Sequence, residues 1–433
     1  MLLASMLILL LLFSLIGMEI AWAIGFAAFA YMVLSQFTDS PRPFVLFAQQ
    51  MITGIDGFIL LAIPLFIFAG ELMNVSGITQ RMVAFASAFV GHLRGGLANV
   101  GVVANYIMSG VSGSALADAA ATGTVLVPEM KKRGFPPAFS SAVIASAATV
   151  GPIIPPSISF VLLGAIVEVS VGRLFLGGVI PGTVMFIAMF AITWWLCRKH
   201  DYPVEPRATP RERVKASFDG FLALLAPVFV VGSIIFGIAT PTEAAALAVL
   251  YTLILGLLVY RNTSLSAIVH AAGSAALATG VVMLTVATSQ IFAFLAVQEK
   301  LGEILTRMLL SISNNIYVIL AMVNVLMLIL GMFMEILPIM LLLAPILFPL
   351  LKSMGVSEVH FGVVMVLNLM IGMITPPIGL NLFMLSTISG EGVITIFKRA
   401  IPYVIVLIAV LMLITYIPWL TLFIPDLVLP ERG

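Results

Sequence analysis

Long apolar runs, interrupted at intervals by Gly, Pro and a few charged residues, extend from Leu2 to Val428. A bilayer-crossing helix needs about 20 such residues. The runs are continuous rather than alternating, which argues for helices and against a β-barrel. The pattern predicts spans near 2–17, 19–37, 53–77, 137–168, 174–197, 220–239, 243–260, 272–298, 358–388 and 400–425. Two further segments, 93–130 and 316–350, place small or polar residues at mid-length. These are Ser109-Gly110-Val111-Ser112-Gly113-Ser114 in one and Gly331-Met332-Phe333-Met334-Glu335 in the other. A full crossing would have to hide those groups against protein, whereas a re-entrant hairpin with its tip in a wet cavity accommodates them. The expected fold is an all-α polytopic membrane protein with about ten spans and two re-entrant hairpins.

The pattern also repeats. Gly151-Pro152-Ile153-Ile154-Pro155-Pro156 matches Gly372-Met373-Ile374-Thr375-Pro376-Pro377 at a spacing of 221 residues. At the same spacing Gly110 falls on Gly331, Pro128 on Pro349, Gly134 on Gly355 and Pro181 on Pro402. Proline removes a helix donor and clashes with the preceding turn. Gly/Pro-interrupted segments at corresponding places in two halves point to the binding site of a secondary transporter. Basic residues give the orientation. Arg198, Lys199, Arg207, Arg211, Arg213 and Lys215 cluster between 198 and 219, so this segment is expected in the cytoplasm. Counting back, Lys131-Lys132-Arg133 falls on an inner flank, and its counterpart in the second repeat has only Lys352, with Glu358 nearby. Lys398-Arg399 marks the next inner flank. The two repeats are therefore expected to be inverted in the membrane, with both termini periplasmic. The organisation follows: 1–92, scaffold helices and a connecting arm; 93–197, the first hairpin and broken helix; 198–219, a cytoplasmic basic loop; 220–315, further scaffold helices and a second arm; 316–433, the second hairpin and broken helix with the last span.

Composition agrees with the pattern. Apolar residues make up 62% of the chain and charged residues 9%, against about 25% charged in a soluble domain. Mean hydropathy is +1.21. The net charge of +1 gives no nucleic-acid signal. One cysteine, Cys197, excludes an internal disulfide and reads as apolar filler near a helix end. No Lys or Arg precedes Arg42, unlike the basic start of a secretory signal, so residues 1–36 read as two spans broken near Gly17-Met18-Glu19. No long polar segment offers a domain for ligand capture or ATP hydrolysis.

Chemistry is expected at the hairpin tips and the facing breaks. Unwound carbonyls and helix C-termini can coordinate Na⁺, while half-helix N-termini face an anion. Sodium, a hard cation, prefers oxygen ligands. The first half offers Asn105, Ser112 and Ser114, with the carbonyls of Gly151 and Pro152 opposite. The second offers the Thr375 hydroxyl and the carbonyls of Gly331, Met332 and Gly372. The same small residues also suit close helix packing. Carboxylates inside a membrane are functional candidates: Glu71, Asp118, Glu243 and Glu335. Asp118 and Glu335 lie near the tips, where each can ligate a cation, carry a proton or pair locally. Thr240-Pro241-Thr242-Glu243 reads as a helix start, and Glu71 reads as a span-end residue. Ser112, Gly113, Ser114, Asp118, Pro155, Pro156, Glu335, Pro376 and Pro377 form the expected substrate-facing set. The four histidines, His92, His200, His270 and His360, have no zinc-site spacing, and no nucleophile elbow or phosphate loop is present. A membrane-embedded enzyme and a passive channel fit these features less well than alternating access.

At these residues the chain resembles the large membrane subunit of the TRAP (tripartite ATP-independent periplasmic) transporters. The matching segments are Gly110 to Asp118, Gly151 to Ser157, Ala239 to Ala246 and Gly372 to Gly379, in that order and across essentially the whole chain. The resemblance implies transport driven by a Na⁺ gradient, through an elevator movement of a hairpin-containing domain against a scaffold. It implies a bacterial inner-membrane location, a small four-helix membrane subunit as partner, and a periplasmic binding protein that delivers an organic acid such as a dicarboxylate or a sialic acid. It places sodium sites on Ser112, Ser114, Gly151, Gly331, Met332, Gly372 and Thr375. A stand-alone sodium–dicarboxylate symporter that needs no binding protein is the alternative.

Overall fold

The structure, a computed structural model, describes residues 2–38 and 41–430. Met1 and Gly433, the termini expected in the periplasm, lie outside the described residues. Those described form twenty α-helices with short 3₁₀ and π segments and no strand. The first group is α1 (Leu2–Leu15), α2 (Ile20–Ser35), α3 (Val45–Ile55), α4 (Ala62–Val75) and α5 (Ile78–Val90). Next come α6 (Gly96–Ser112), α7 (Ala115–Lys132), α8 (Pro137–Ala147), α9 (Ile158–Val167) and α10 (Val171–Lys199). Then follow α11 (Pro210–Ile235), α12 (Pro241–Ile254), α13 (Leu265–Gln298) and α14 (Leu301–Ile312). The chain closes with α15 (Ile316–Gly331), α16 (Ile336–Ser353), α17 (Glu358–Gly372), α18 (Leu380–Ser389), α19 (Val393–Tyr416) and α20 (Trp419–Val428).

Helices α6 to α10 and α15 to α19 follow one plan. Each set has two helices joined by a tight turn, a helix broken mid-way, and a long helix. Pro128 and Pro349 lie inside α7 and α16, and Pro181 and Pro402 inside α10 and α19. Gly134 and Gly355 take φ +89° and +84° at matched turns, the left-handed region that glycine enters without steric cost. Both breaks carry a cis peptide, Pro155-Pro156 and Pro376-Pro377. The sets interlock: α18 packs on α7 and α8, α19 on α8, and α16 on α9. Elsewhere α13 runs against α2, α3 and α4, and α12 packs on α4.

Seven segments are long and apolar enough to cross a bilayer alone: 58–75, α10, α11, Pro241–Val259, α13, α16 and α19. The other apolar helices are shorter. Exposed large hydrophobics such as Trp22, Phe29, Phe218, Phe229 and Leu277 cover the outside, as a lipid-facing surface requires. The chain is thus a multi-pass membrane protein.

Several boundaries differ from the sequence expectation. The span expected at 53–77 is divided, because α3 ends at Ile55 and the chain restarts past Asp56-Gly57 as a 3₁₀ turn, Phe58–Leu61. The expected loop 198–219 is shorter, since α11 begins at Pro210. Its Thr209 hydroxyl accepts from the Glu212 N–H, and the Glu212 carboxylate accepts from the Thr209 N–H. That reciprocal capping box starts a helix inside polar sequence. Glu205, in the remaining linker, pairs with Arg133 at the foot of α7 at 3.0 Å. Helix α13 starts at Leu265 rather than 272, capped by Ser264. The last expected span, 400–425, is two helices that meet at Ile417-Pro418.

Candidate functional site

Each broken segment meets the hairpin of its own repeat. In the first half α6 ends at Ser112, and Gly113 turns the chain at φ +60°. A Cβ on Gly113 would lie 2.7 Å from the Pro156 carbonyl oxygen, so the turn sits directly on the break. Ser114 then caps α7 by accepting from the Ala117 N–H. Asp118, in the first turn of α7, is fully buried. Its Oδ1 accepts from the Ser112 hydroxyl at 2.6 Å. Its Oδ2 has no hydrogen-bond partner among the described residues. A Cβ on Gly151 would lie 2.7 Å from that Oδ2 and 3.3 Å from the Ser114 carbonyl carbon, so the break backbone packs closely on Asp118 and the turn. Ser112, Ser114, Asp118 and Gly151 therefore form one cluster. Asn105 joins it indirectly. Its amide donates to the Gly101 carbonyl and to Thr122, whose hydroxyl donates to the Asp118 carbonyl. Across the break, Ser157 donates to the Pro152 carbonyl and accepts from the Phe160 N–H. It thereby satisfies a backbone carbonyl in the turn of the break.

The second half makes its contact with backbone. A Cβ on Gly372 would lie 2.4 Å from the Gly331 carbonyl carbon and 2.6 Å from its oxygen. Ile378 N–H donates to the Met332 carbonyl, and Asn381 N–H to the Met373 carbonyl, both at 3.1 Å. Thr375 directs its hydroxyl to the Ile371 carbonyl at 2.8 Å. Gly331, Met332, Gly372 and Thr375 are thus brought together. The position matching Asp118 is Ile339, so this half has no equivalent carboxylate.

Both tips open onto one cavity of about 440 Å³. Its wall takes Ser112, Gly113, Ser114, Ala115 and Leu116 from the first tip, and Glu335, Ile336 and Leu337 from the second. Pro152, Ile158, Ser159, Met370 and Met373 come from the breaks. The rest of the wall includes Ile67, Gly70 and Glu71 on α4 and Ala278, Val281 and Val282 on α13. The first turns of α7, α9 and α16 all reach this space, and free N–H groups at a helix start favour an anion. Asp118, Pro155, Pro156, Pro376 and Pro377 are not among the lining residues: Asp118 is buried in α7, and the prolines carry the cis peptides of the two breaks. A larger cleft of about 680 Å³, lined by Asn74, Arg81, Glu212, Lys215 and Asp219, contains none of the expected residues.

Glu71 is a candidate in the sequence, read there as a span-end residue. It lies toward the end of α4 and also lines the cavity, which the sequence did not reveal. Glu243 is the helix-start residue expected, in a capping box with Thr240. Cys197 is buried near the end of α10 and packs closely against Gly95.

Comparison with known proteins agrees with this architecture. The sequence profile of the family described as "Tripartite ATP-independent periplasmic transporter, DctM component" matches residues 7–420. The sialic acid TRAP transporter large permease protein SiaM of Vibrio cholerae is 39% identical over 413 residues, covering 95% of this chain and 96% of its own. The C4-dicarboxylate TRAP transporter large permease protein DctM of Rhodobacter capsulatus is 35% identical, covering 95% and 96%. In fold, the chain is similar to the Alcanivorax borkumensis YdaH transporter, with a TM-score of 0.59 at 15% identity over 96% of this chain and 98% of that one. The chain belongs to the DctM family of TRAP transporter large permease subunits, and is a transporter component rather than an enzyme.

Proposed function

We propose that this chain is the permease of a sodium-coupled importer of an organic acid in a bacterial inner membrane. It works with a small membrane subunit and a periplasmic binding protein that delivers the acid. The observation that carries this reading is the cavity shared by both hairpin tips, both broken helices and the α4–α13 wall. Helices α6–α10 and α15–α19 form the moving body, and α2–α4 with α11–α13 form the scaffold. Alternating access follows when the tips and breaks travel together past that wall.

The first-half cluster suits sodium. The orphaned Asp118 Oδ2 and the Ser112 hydroxyl are hard oxygen donors, and the Gly151 backbone lies against them. Ser114 sits at the same turn. In the second half the Gly331, Met332 and Gly372 carbonyls and the Thr375 hydroxyl would hold the ion. Bound sodium supplies positive charge behind the tips, where the acid's carboxylate meets the first turns of α7 and α16. Linkage then requires the acid to tighten sodium by the same factor by which sodium tightens the acid.

The test is uptake into proteoliposomes holding this chain and its small partner. Binding protein is supplied outside, with an inward Na⁺ gradient imposed or omitted. Uptake that requires both supports the tripartite reading. Uptake with Na⁺ but without binding protein favours the stand-alone symporter. Uptake indifferent to Na⁺ overturns the coupling.

A further inference from the structure

The cleft of about 680 Å³ is separate from the tips and breaks, and its wall carries both signs of charge. Arg81 comes from α5, Glu212, Lys215 and Asp219 from α11, and Asn262 from the link between α12 and α13. Arg81 is held in place. Its guanidinium donates to the Gly77 carbonyl at 3.0 Å and lies 3.8 Å from the centre of the Tyr260 ring. The Tyr260 hydroxyl in turn donates to the Asp219 carbonyl at 3.1 Å. Glu212 is committed to its capping box with Thr209. Lys215 and Asp219 have no such ties. Both are exposed, and neither side chain makes a hydrogen bond or ion pair with a described residue. They stand one turn apart on α11, a spacing that makes side chains neighbours. An ammonium and a carboxylate thus line the cleft side by side without closing on each other.

The place of the cleft selects a lipid. Phe218 and Phe221, at the same level of α11, are exposed, and so are Leu257, Leu258 and Val259 at the end of α12. Beyond Asp219 the sequence of α11 is apolar. The charged groups therefore stand where the lipid-facing surface begins, and polar pockets at that depth take phospholipid headgroups. The balance of charge selects the kind. The two cations that line the cleft, Arg81 and Lys215, are matched by two carboxylates, Glu212 and Asp219. A zwitterion gains from both signs, whereas a headgroup of net negative charge is repelled by one of them. Its phosphate meets Lys215 and the planar guanidinium of Arg81, and its ammonium meets Asp219. A carboxylate only accepts hydrogen bonds, so it favours the N–H groups of ethanolamine over a choline that has none. Choline binds on aromatic faces, and Tyr260 already has Arg81 over its ring.

We propose that this cleft binds the headgroup of a phosphatidylethanolamine lipid, with the phosphate on Lys215 and Arg81 and the ammonium on Asp219. Gly77, at φ +69°, turns the chain from α4 into α5 beside the cleft. The bound lipid bridges α5 and α11 and so braces that turn.

The experiment uses the full chain with its small subunit, stripped of lipid in detergent. Dioleoyl phosphatidylethanolamine, phosphatidylcholine or phosphatidylglycerol is titrated in, and bound lipid is counted by native mass spectrometry. Phosphatidylethanolamine is expected to bind at least about tenfold more tightly than either of the others. Asp219→Asn is expected to erase that preference. Lys215→Gln is expected to weaken all three lipids by a similar factor, because each carries the phosphate. Both side chains are exposed, so both variants should fold; if one does not, the other and the wild-type ranking still decide. Phosphatidylcholine or phosphatidylglycerol binding as tightly as phosphatidylethanolamine overturns the proposal. So does a preference that survives in every folded variant, or the absence of phosphatidylethanolamine binding. Free phosphoethanolamine is added as a competitor, and displacement at concentrations equal to the lipid would make the ligand a soluble one and overturn the lipid assignment.

Discussion

Gly372 lies with its Cα against the backbone of Gly331, so close that a Cβ would fall 2.4 Å from the Gly331 carbonyl carbon. The obstacle is main chain and cannot rotate away. Gly372→Ala should therefore push the second hairpin off its break. Overpacking of this kind costs about 1–3 kcal/mol. The expected outcome is a lowered unfolding midpoint and lost uptake, seen by thermal denaturation in detergent and by proteoliposome transport. Wild-type values for both would mean that this contact yields more easily than the geometry says.

Asp118 has one oxygen held by Ser112 and the other without a partner among the described residues. Asp118→Asn keeps the shape and the Ser112 contact but removes the charge. If Asp118 is a sodium ligand, half-saturation by Na⁺ should rise by about tenfold, equivalent to about 1.4 kcal/mol. Ser112→Ala should act in the same direction more weakly, and Thr375→Val should do so through the second half. Sodium titrations of uptake read all three, and unchanged half-saturation in Asp118→Asn would remove it from the ion site.

The repeat was legible because lipid tolerates few helix breaks, so Gly and Pro at matched spacing mark the same mechanical points twice. The pairs Gly134/Gly355 and Pro128/Pro349 bear this out in matching turns and helices. The start of α11 was equally written in Thr209-Pro210-Arg211-Glu212, the same signal as Thr240-Pro241-Thr242-Glu243. Its charged surroundings made it read as loop. Glu71 was a candidate in the sequence, but its place in the cavity wall was illegible for another reason. A lone carboxylate in an apolar helix reveals nothing about which neighbour it will face, and its place in the cavity is fixed by how α4 packs on α12 and α13. The Asn368–Asn324–Thr415 chain was hidden in the same way, because it depends on three helices meeting.

That chain is a buried device of the second repeat. The Asn368 amide donates to the Asn324 carbonyl and side-chain oxygen at 3.0 and 2.9 Å, and the Asn324 amide donates to Thr415 at 3.0 Å. It links α17, α15 and α19. Asn368→Leu leaves the Asn324 oxygen buried without its donor, which costs about 1–3 kcal/mol. Removing both asparagines together should cost less than the sum of the single changes, since the second removes an orphan created by the first. Thermal unfolding of the two single variants and the double variant reads the coupling. Strict additivity would show that the two side chains act independently.

Gly70 on α4 and Ser112 at the first tip bring the two proposed bodies into register. A Cβ on Gly70 would lie 4.0 Å from the Ser112 Cβ, within the roughly 3.5–4.5 Å that a disulfide needs. Gly70→Cys with Ser112→Cys, in a Cys197→Ala background, should therefore cross-link under mild oxidation. If transport requires the tip to slide past α4, the oxidised protein will not transport. Dithiothreitol will restore the uptake of the reduced double variant, which serves as its own baseline because Ser112 is also a proposed ligand. A chain shown by mass spectrometry to be fully cross-linked, yet transporting at the reduced rate, would mean that α4 and the first hairpin never separate. The moving body would then have to be redrawn with α4 inside it.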